Sequence, residues 1–214
     1  MDFDLNPETA YLAGLWKADN CSTAKGVVGI RSKDLALIQK FDRIIMRYFP
    51  PKNLRHREVE GYSKTLEGYV CSTRLERFLS AIQDNRELLP RVLAASFLAG
   101  FFDGDGSASS KNSSLYCCYG LRDLEEALRD KKFLEQLGFE VSLVKSGKAW
   151  KNHVLKPRNF AEFVLPFVVL ERKKRELIVL ISKRIWRAKR ARSSSTVATF
   201  EAIRAALCGD CLRK

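Results

Sequence analysis

No stretch of this chain is apolar for long enough to cross a bilayer. Its opening, Met1-Asp2-Phe3-Asp4, lacks the charged-then-apolar order of a secretory signal, so an intracellular protein is expected. Acidic side chains are in short supply: 25 Asp and Glu face 38 Lys and Arg, a net charge of +13. That balance favours a polyanionic partner, nucleic acid ahead of a membrane surface. The six cysteines, at 21, 71, 117, 118, 208 and 211, make no disulfide framework in a chain this long, which suits a reducing compartment. Cys208-Gly-Asp-Cys211 has no second pair, and His56 and His153 lie far away in sequence, which argues against a structural zinc. Cys117 and Cys118 read as strand residues. Disorder is excluded too, because 46% of the residues are hydrophobic.

What is present is unevenly spread. Residues 140–192 hold fifteen Lys or Arg against four Asp or Glu. A solvated surface would explain such a run, and so would a nucleic-acid face.

The chain also repeats itself. Leu12-Ala13-Gly14-Leu15-Trp16-Lys17-Ala18-Asp19 returns as Leu98-Ala99-Gly100-Phe101-Phe102-Asp103-Gly104-Asp105. Each copy is an apolar run with small residues at fixed places, ending in a carboxylate. A repeat of this kind implies two similar units in tandem. Gly14 and Ala18 are four apart, as are Gly100 and Gly104, so each pair lies on one helix face where another backbone can approach closely. Glycine inside a helix costs roughly 1 kcal/mol against alanine, so its presence in both copies calls for a packing reason.

Around each copy the same order of elements is expected. Asn6, Pro7 and Glu8 open a helix over 7–19. A hairpin follows over 21–31, then an amphipathic helix from Lys33-Asp34 that stops at Pro50-Pro51. A second hairpin over 53–71 turns near Ser63-Lys64, and a helix starts near Thr73. The second half has a helix over 91–104, a hairpin over 107–120, a helix from Arg122 to Leu137-Gly138, and a hairpin over 139–156. A helix from Asn159 ends near Pro166 and a long basic one runs from Glu171 to Ala191. The expected fold is therefore α+β, two tandem αββαββα repeats with eight strands. Residues 1–90 and 91–192 form the halves, and 193–214 form a helical extension with Val197, Phe200, Ile203 and Leu207 on one face. The strands alternate apolar with polar or basic residues, so one face of each sheet can pack on helices and the other stay open. An open face rich in Arg, Lys and Tyr can lie against phosphates and base edges.

The segments LAGLWKADN and LAGFFDGDG, each opening the same order of elements, resemble the LAGLIDADG homing-endonuclease family in its two-motif, single-chain form. The second copy is close to the family pattern; the first has Lys17 where the pattern has Asp, and Asn20 where Gly is common. The resemblance implies a pseudo-twofold, monomeric protein whose antiparallel sheets form DNA-binding saddles with helices on one face. The two motif helices would pack centrally through Gly14, Ala18, Gly100 and Gly104. It further implies Mg²⁺-dependent cleavage of both strands of a long duplex site, leaving 3′ overhangs. Asp19 and Asp105 would bind two or three Mg²⁺ or Mn²⁺ ions, with the backbone carbonyls of Ala18 and Gly104 completing the shell. Hard cations prefer such oxygen ligands.

Asp103, two residues from Asp105, should point elsewhere and serve structure. A basic residue after Pro166-Phe167 orders water in the family; here the place falls on Glu171, and a shift of register makes Lys173 the catalytic cation, with Arg172 beside it. A family glutamine falls on Ser32, next to Lys33. The basic positions expected to meet DNA are Lys33, Arg55, Arg57, Lys64, Lys145, Lys148, Lys151 and Arg172. Some relatives have lost cleavage and act as maturases on intron RNA or as DNA-binding regulators, which sets the alternative reading.

Overall fold

Asn6 starts the first helix. Its side-chain oxygen accepts the Glu8 and Thr9 N–H groups at 2.9 and 3.1 Å, and the Thr9 hydroxyl accepts the Asn6 N–H at 3.0 Å. With Pro7 at the first helical position, this capping box fixes the start of α1 (Pro7–Asp19). Residues Thr9 to Trp16 are all buried. Its counterpart α4 (Arg91–Asp105) follows Pro90 and buries Ala94 through Asp103. Helices apolar on every side need neighbours on every side. These two pack on each other at the centre of one continuous core.

The computed structural model describes residues 2–191 except 22–23, 61–63, 110, 112–113 and 122. The chain divides into two units, residues 1–181 and 182–214. The first unit contains both motif helices and both sheets. The expected extension over 193–214 lies outside the described residues.

After α1 come β1 (Val27–Ser32), α2 (Leu35–Ile45), β2 (Arg55–Val59), β3 (Thr65–Cys71) and α3 (Thr73–Asp84). The second motif helix leads into β4 (Ser107–Ser109), β5 (Ser114–Leu121), α5 (Leu124–Gln136), β6 (Val141–Ser146), β7 (Ala149–Val154), α6 (Pro157–Val164) and α7 (Glu171–Ala191). Both sheets are antiparallel, ordered β1-β3-β2 and β4-β5-β7-β6. The fold is α+β and built from two repeats, since β1, β3 and β2 correspond in order to β5, β7 and β6.

Two details depart from expectation. Seven strands, not eight, occur among the described residues. Where a counterpart to β4 was expected, the first half has one antiparallel bridge, Asn20 to Ile30, and a 3.4 Å hydrogen bond from the Cys21 N–H to the Gly29 carbonyl. The helix expected from Asn159 starts two residues earlier, because Pro157 is preorganised for a first helical turn.

Each sheet packs one face on helices. Val28, Ile30 and Val70 are fully buried beneath α2 and α3, and Val141 and Val154 lie on the covered side of the second sheet. Alternate residues along the same strands form the other face.

Candidate active site

Asp19 and Asp105 are the last residues of α1 and α4. Three close approaches align the two helices. A Cβ on Gly14 would fall on the Phe97 carbonyl oxygen, and one on Gly100 would fall on that of Tyr11. At the acid end, a Cβ on Gly104 would strike the Ala18 Cβ and lie 3.3 Å from the Asp19 Oδ2. The small residues therefore let the two helices converge where both end in carboxylates.

Proximity and burial show in the acids' protonation. Burial pushes the Asp19 carboxyl up to about 6; Lys173 opposes the rise and Asp34 adds to it. Burial, then the neighbouring Asp19 charge, push Asp105 up to about 7 against Lys173 and Lys17. Two half-buried carboxylates that each resist ionisation form a site poised for added positive charge. Among the described residues no group of three His, Cys, Asp or Glu could hold a metal by itself. A cation here would draw on these two carboxylates and on backbone oxygens, which is an oxygen-only donor set suited to Mg²⁺ or Mn²⁺.

Lys173 reaches the same place from α7. Only 5% exposed, it donates through Nζ to the carbonyls of Phe102 and Asp103, both at 2.6 Å, and of Gly104 at 3.1 Å. An ammonium at the negative end of a helix is favourably placed. Burial lowers its pKa to about 8, with Asp103 opposing that fall. Its neighbours differ: Glu171 is exposed and pairs with Lys174, while Arg172 is exposed and lies 3.7 Å from Asp34. Asp34 stands at the N-cap of α2, yet its side chain makes no capping bond. Ser32 instead accepts the Asp34 N–H at 3.2 Å, and Lys33 beside it is exposed.

Asp103 points away from the acids. It is buried and accepts hydrogen bonds from the Tyr11 hydroxyl at 2.8 Å, the Val169 N–H at 2.6 Å and the Leu170 N–H at 3.3 Å. Lys17, its counterpart, is tied to Glu126 and lies 3.5 Å from Asp130 on α5. Arg86 completes the group, 2.9 Å from Asp130 and 3.4 Å from Glu126. Sequence reasoning missed Glu126, Asp130, Arg86 and Asp34, since the partners are remote in sequence and the acids look like ordinary helix-surface residues.

The expected DNA-facing residues fall into groups. Arg55 and Arg57 alternate with His56 on β2, so they share one face. Lys64 is exposed beside β3, and Lys148 is exposed in the turn between β6 and β7. Lys151 stands opposite Val144, its Nζ 5.5 Å from the Tyr116 ring centre, while Lys145 stands opposite Trp150 on the alternate face. The strands thus separate Lys145 from Lys151.

Residues 93–187 match the sequence profile of the LAGLIDADG-like domain. The second half of this chain is thus similar to a LAGLIDADG-like domain. Solved structures extend the likeness to both halves. I-DmoI matches at 18% identity over 76% of this chain and 97% of its own, with a TM-score of 0.59. I-WcaI bound to its DNA recognition sequence matches at 15% identity over 82% and 88%, TM-score 0.61. Full-length DUF199/WhiA from Thermatoga maritima matches at 15% identity over 98% of this chain and 69% of its own, TM-score 0.61. No curated protein matches. The whole first unit therefore has the LAGLIDADG homing-endonuclease fold. I-DmoI has been solved with DNA and Mn, and a variant of it with target DNA and Mg. No helix among the described residues is long and apolar enough to cross a membrane.

Proposed function

We propose that this LAGLIDADG-like protein is a site-specific, divalent-metal-dependent DNA endonuclease acting as a monomer on a long duplex site. The observation that supports this reading is that Asp19 and Asp105 end the two helices packed through Gly14, Gly100 and Gly104, with the Asp19 Oδ2 3.3 Å from where a Cβ on Gly104 would lie. One chain supplies both acids, so no second copy is needed. Residues 1–90 and 91–192 act as half-domains, each addressing half of the site.

Asp19 and Asp105, with the carbonyls of Ala18 and Gly104, would hold Mg²⁺ or Mn²⁺, two or three ions by family likeness. Such ions make bound water a nucleophile and stabilise a leaving 3′ oxygen. Lys173 keeps the end of α4, and so the Gly104 carbonyl and Asp105, in place. Lys33, Arg55, Arg57, Lys64, Lys148, Lys151 and Arg172 would bind the DNA, with Lys145 at the rim. The free thiols of Cys21, Cys71 and Cys117 suit a reducing, intracellular compartment.

The test is incubation with a duplex library and Mg²⁺, followed by sequencing of ends. Paired ends with 3′ overhangs at one recurring site are expected, and none with Asp105→Asn. One observation favours a second reading: Lys17 brings a cation and two further acids beside one motif helix. A silent DNA-binding regulator, or a maturase on intron RNA, would bind its target without Mg²⁺-dependent ends.

A further inference from the structure

Glu67 lies in the middle of β3, the central strand of the first sheet. It is directly opposite Arg31 on β1 and Arg57 on β2, so all three side chains share the face away from the helices. The Arg31 Nε donates to the Glu67 Oε1 at 2.6 Å, with a second ion-pair contact from its Nη2, and the Arg57 Nε donates to Oε2. Glu67 is 1% exposed, whereas the Arg31 and Arg57 side chains are 43% and 60% exposed. The carboxylate is thus sealed in by the two arginines. Burial alone would push its carboxyl up, but the bonds and charges of Arg57 and Arg31 outweigh that and hold it low.

We propose that Glu67 is a specificity-determining positioning residue that aims Arg31 and Arg57 at two guanines in the half-site over the first sheet. The inference rests on the DNA-binding reading above. Each guanidinium spends its Nε edge on Glu67 and keeps an outer edge of two parallel N–H groups. That fork fits the O6 and N7 acceptors of guanine in the major groove. Phosphate contact is a poorer explanation. Affinity for phosphate rests largely on positive charge, and the buried acid reduces the charge of the cluster from +2 to +1. The strands bearing the two arginines flank β3, about 10 Å apart, which spans roughly three base-pair steps. Tyr69, two residues along β3, has its ring centre 5.9 Å from the Arg57 guanidinium. The second sheet differs: its corresponding face shows Tyr116 packed on His153, with ring centres 5.0 Å apart. Among the described residues the carboxylate with two flanking arginines occurs on the first sheet, so the guanine preference is assigned to its half-site.

The experiment selects bound duplexes from a random library with Ca²⁺ in place of Mg²⁺, using the full chain and its Glu67→Gln, Arg31→Ala and Arg57→Ala variants. Wild type is expected to enrich guanines at two positions within about three base pairs, each worth roughly ten- to hundredfold in binding against adenine. Arg31→Ala should flatten one position and Arg57→Ala the other. Glu67→Gln should bring both preferences below about threefold while leaving the other half-site's profile unchanged. A purely structural role would lower affinity at all sequences and leave the profile sharp, and that result overturns the proposal. The proposal also fails if the arginine variants, which leave the Glu67 backbone row intact, lose affinity without a position-specific change. A wild-type chain that enriches no sequence overturns the DNA-binding reading itself.

Discussion

The Tyr11 hydroxyl of the first motif helix donates to the Asp103 Oδ2 of the second at 2.8 Å. The same carboxylate accepts the Val169 and Leu170 N–H groups just ahead of α7. Asp103 therefore joins three elements, while Asp105, two residues on, remains beside Asp19. A motif with two acids has divided them between architecture and the site.

Asp105→Asn should remove Mg²⁺-dependent cutting and leave duplex binding within a fewfold of wild type. Its effect on stability depends on pH. The folded-state pKa of Asp105, about 7, lies above the unfolded value near 3.8. The protonated acid therefore favours folding below the unfolded value, and that contribution is lost as pH rises to about 7. Without divalent ions, the variant should match wild type near pH 4 and exceed it at pH 8.5 by roughly 2 kcal/mol. Adding Mg²⁺ at pH 8.5 should raise the melting temperature of wild type and leave that of the variant nearly unchanged.

Gly100→Ala tests the helix contact. The new methyl would fall on the Tyr11 carbonyl oxygen, with the Leu15 nitrogen 2.9 Å away. Backbone cannot yield as a side-chain tip can, so a loss of about 3 kcal/mol or more is expected in denaturant melts. Cleavage should fall with it even at temperatures where the variant stays folded, because the carboxylates no longer align.

Restoring the family pattern at position 17 should do harm. Lys17→Asp would place a third carboxylate against Glu126 and Asp130, leaving Arg86 as their one buried cation among the described residues. Removing one partner from a buried ionic group typically costs 3–5 kcal/mol, and reversing its sign should cost more than Lys17→Met. Thermal melts of the two variants give the order directly.

Lys173→Met should lower cleavage by a hundredfold or more while DNA binding persists. The three α4 carbonyls lose their buried donor, at about 2 kcal/mol of stability. Lys173→Arg, whose planar fork cannot place one nitrogen against three oxygens, should restore melting better than cleavage. Equal recovery of both would count against the positioning role.

The repeat, its small residues and the acids at the helix ends were legible because each is local: helical period, i to i+4 spacing and a terminal carboxylate. The α+β order was legible for the same reason, since turn residues punctuate alternating strands. The reduction of the strand expected before β1 to a single bridge among the described residues was not, because a strand and a single bridge begin from similar short stretches. Lys17 read as a break in the pattern, for its partners Glu126 and Asp130 lie more than a hundred residues away on α5. Lys173 stood in a run of four basic residues, and only burial distinguishes it from Arg172 and Lys174.

The Lys17 network also limits how the halves can be exchanged. Its buried cations, Lys17 and Arg86, belong to the first repeat and its acids to α5 of the second, so neither repeat is electrically complete alone. A chimera that grafts a foreign first half onto residues 91–192 inherits two acids with no local cation from that graft. Compatible donors are those carrying basic residues at the places of both Lys17 and Arg86.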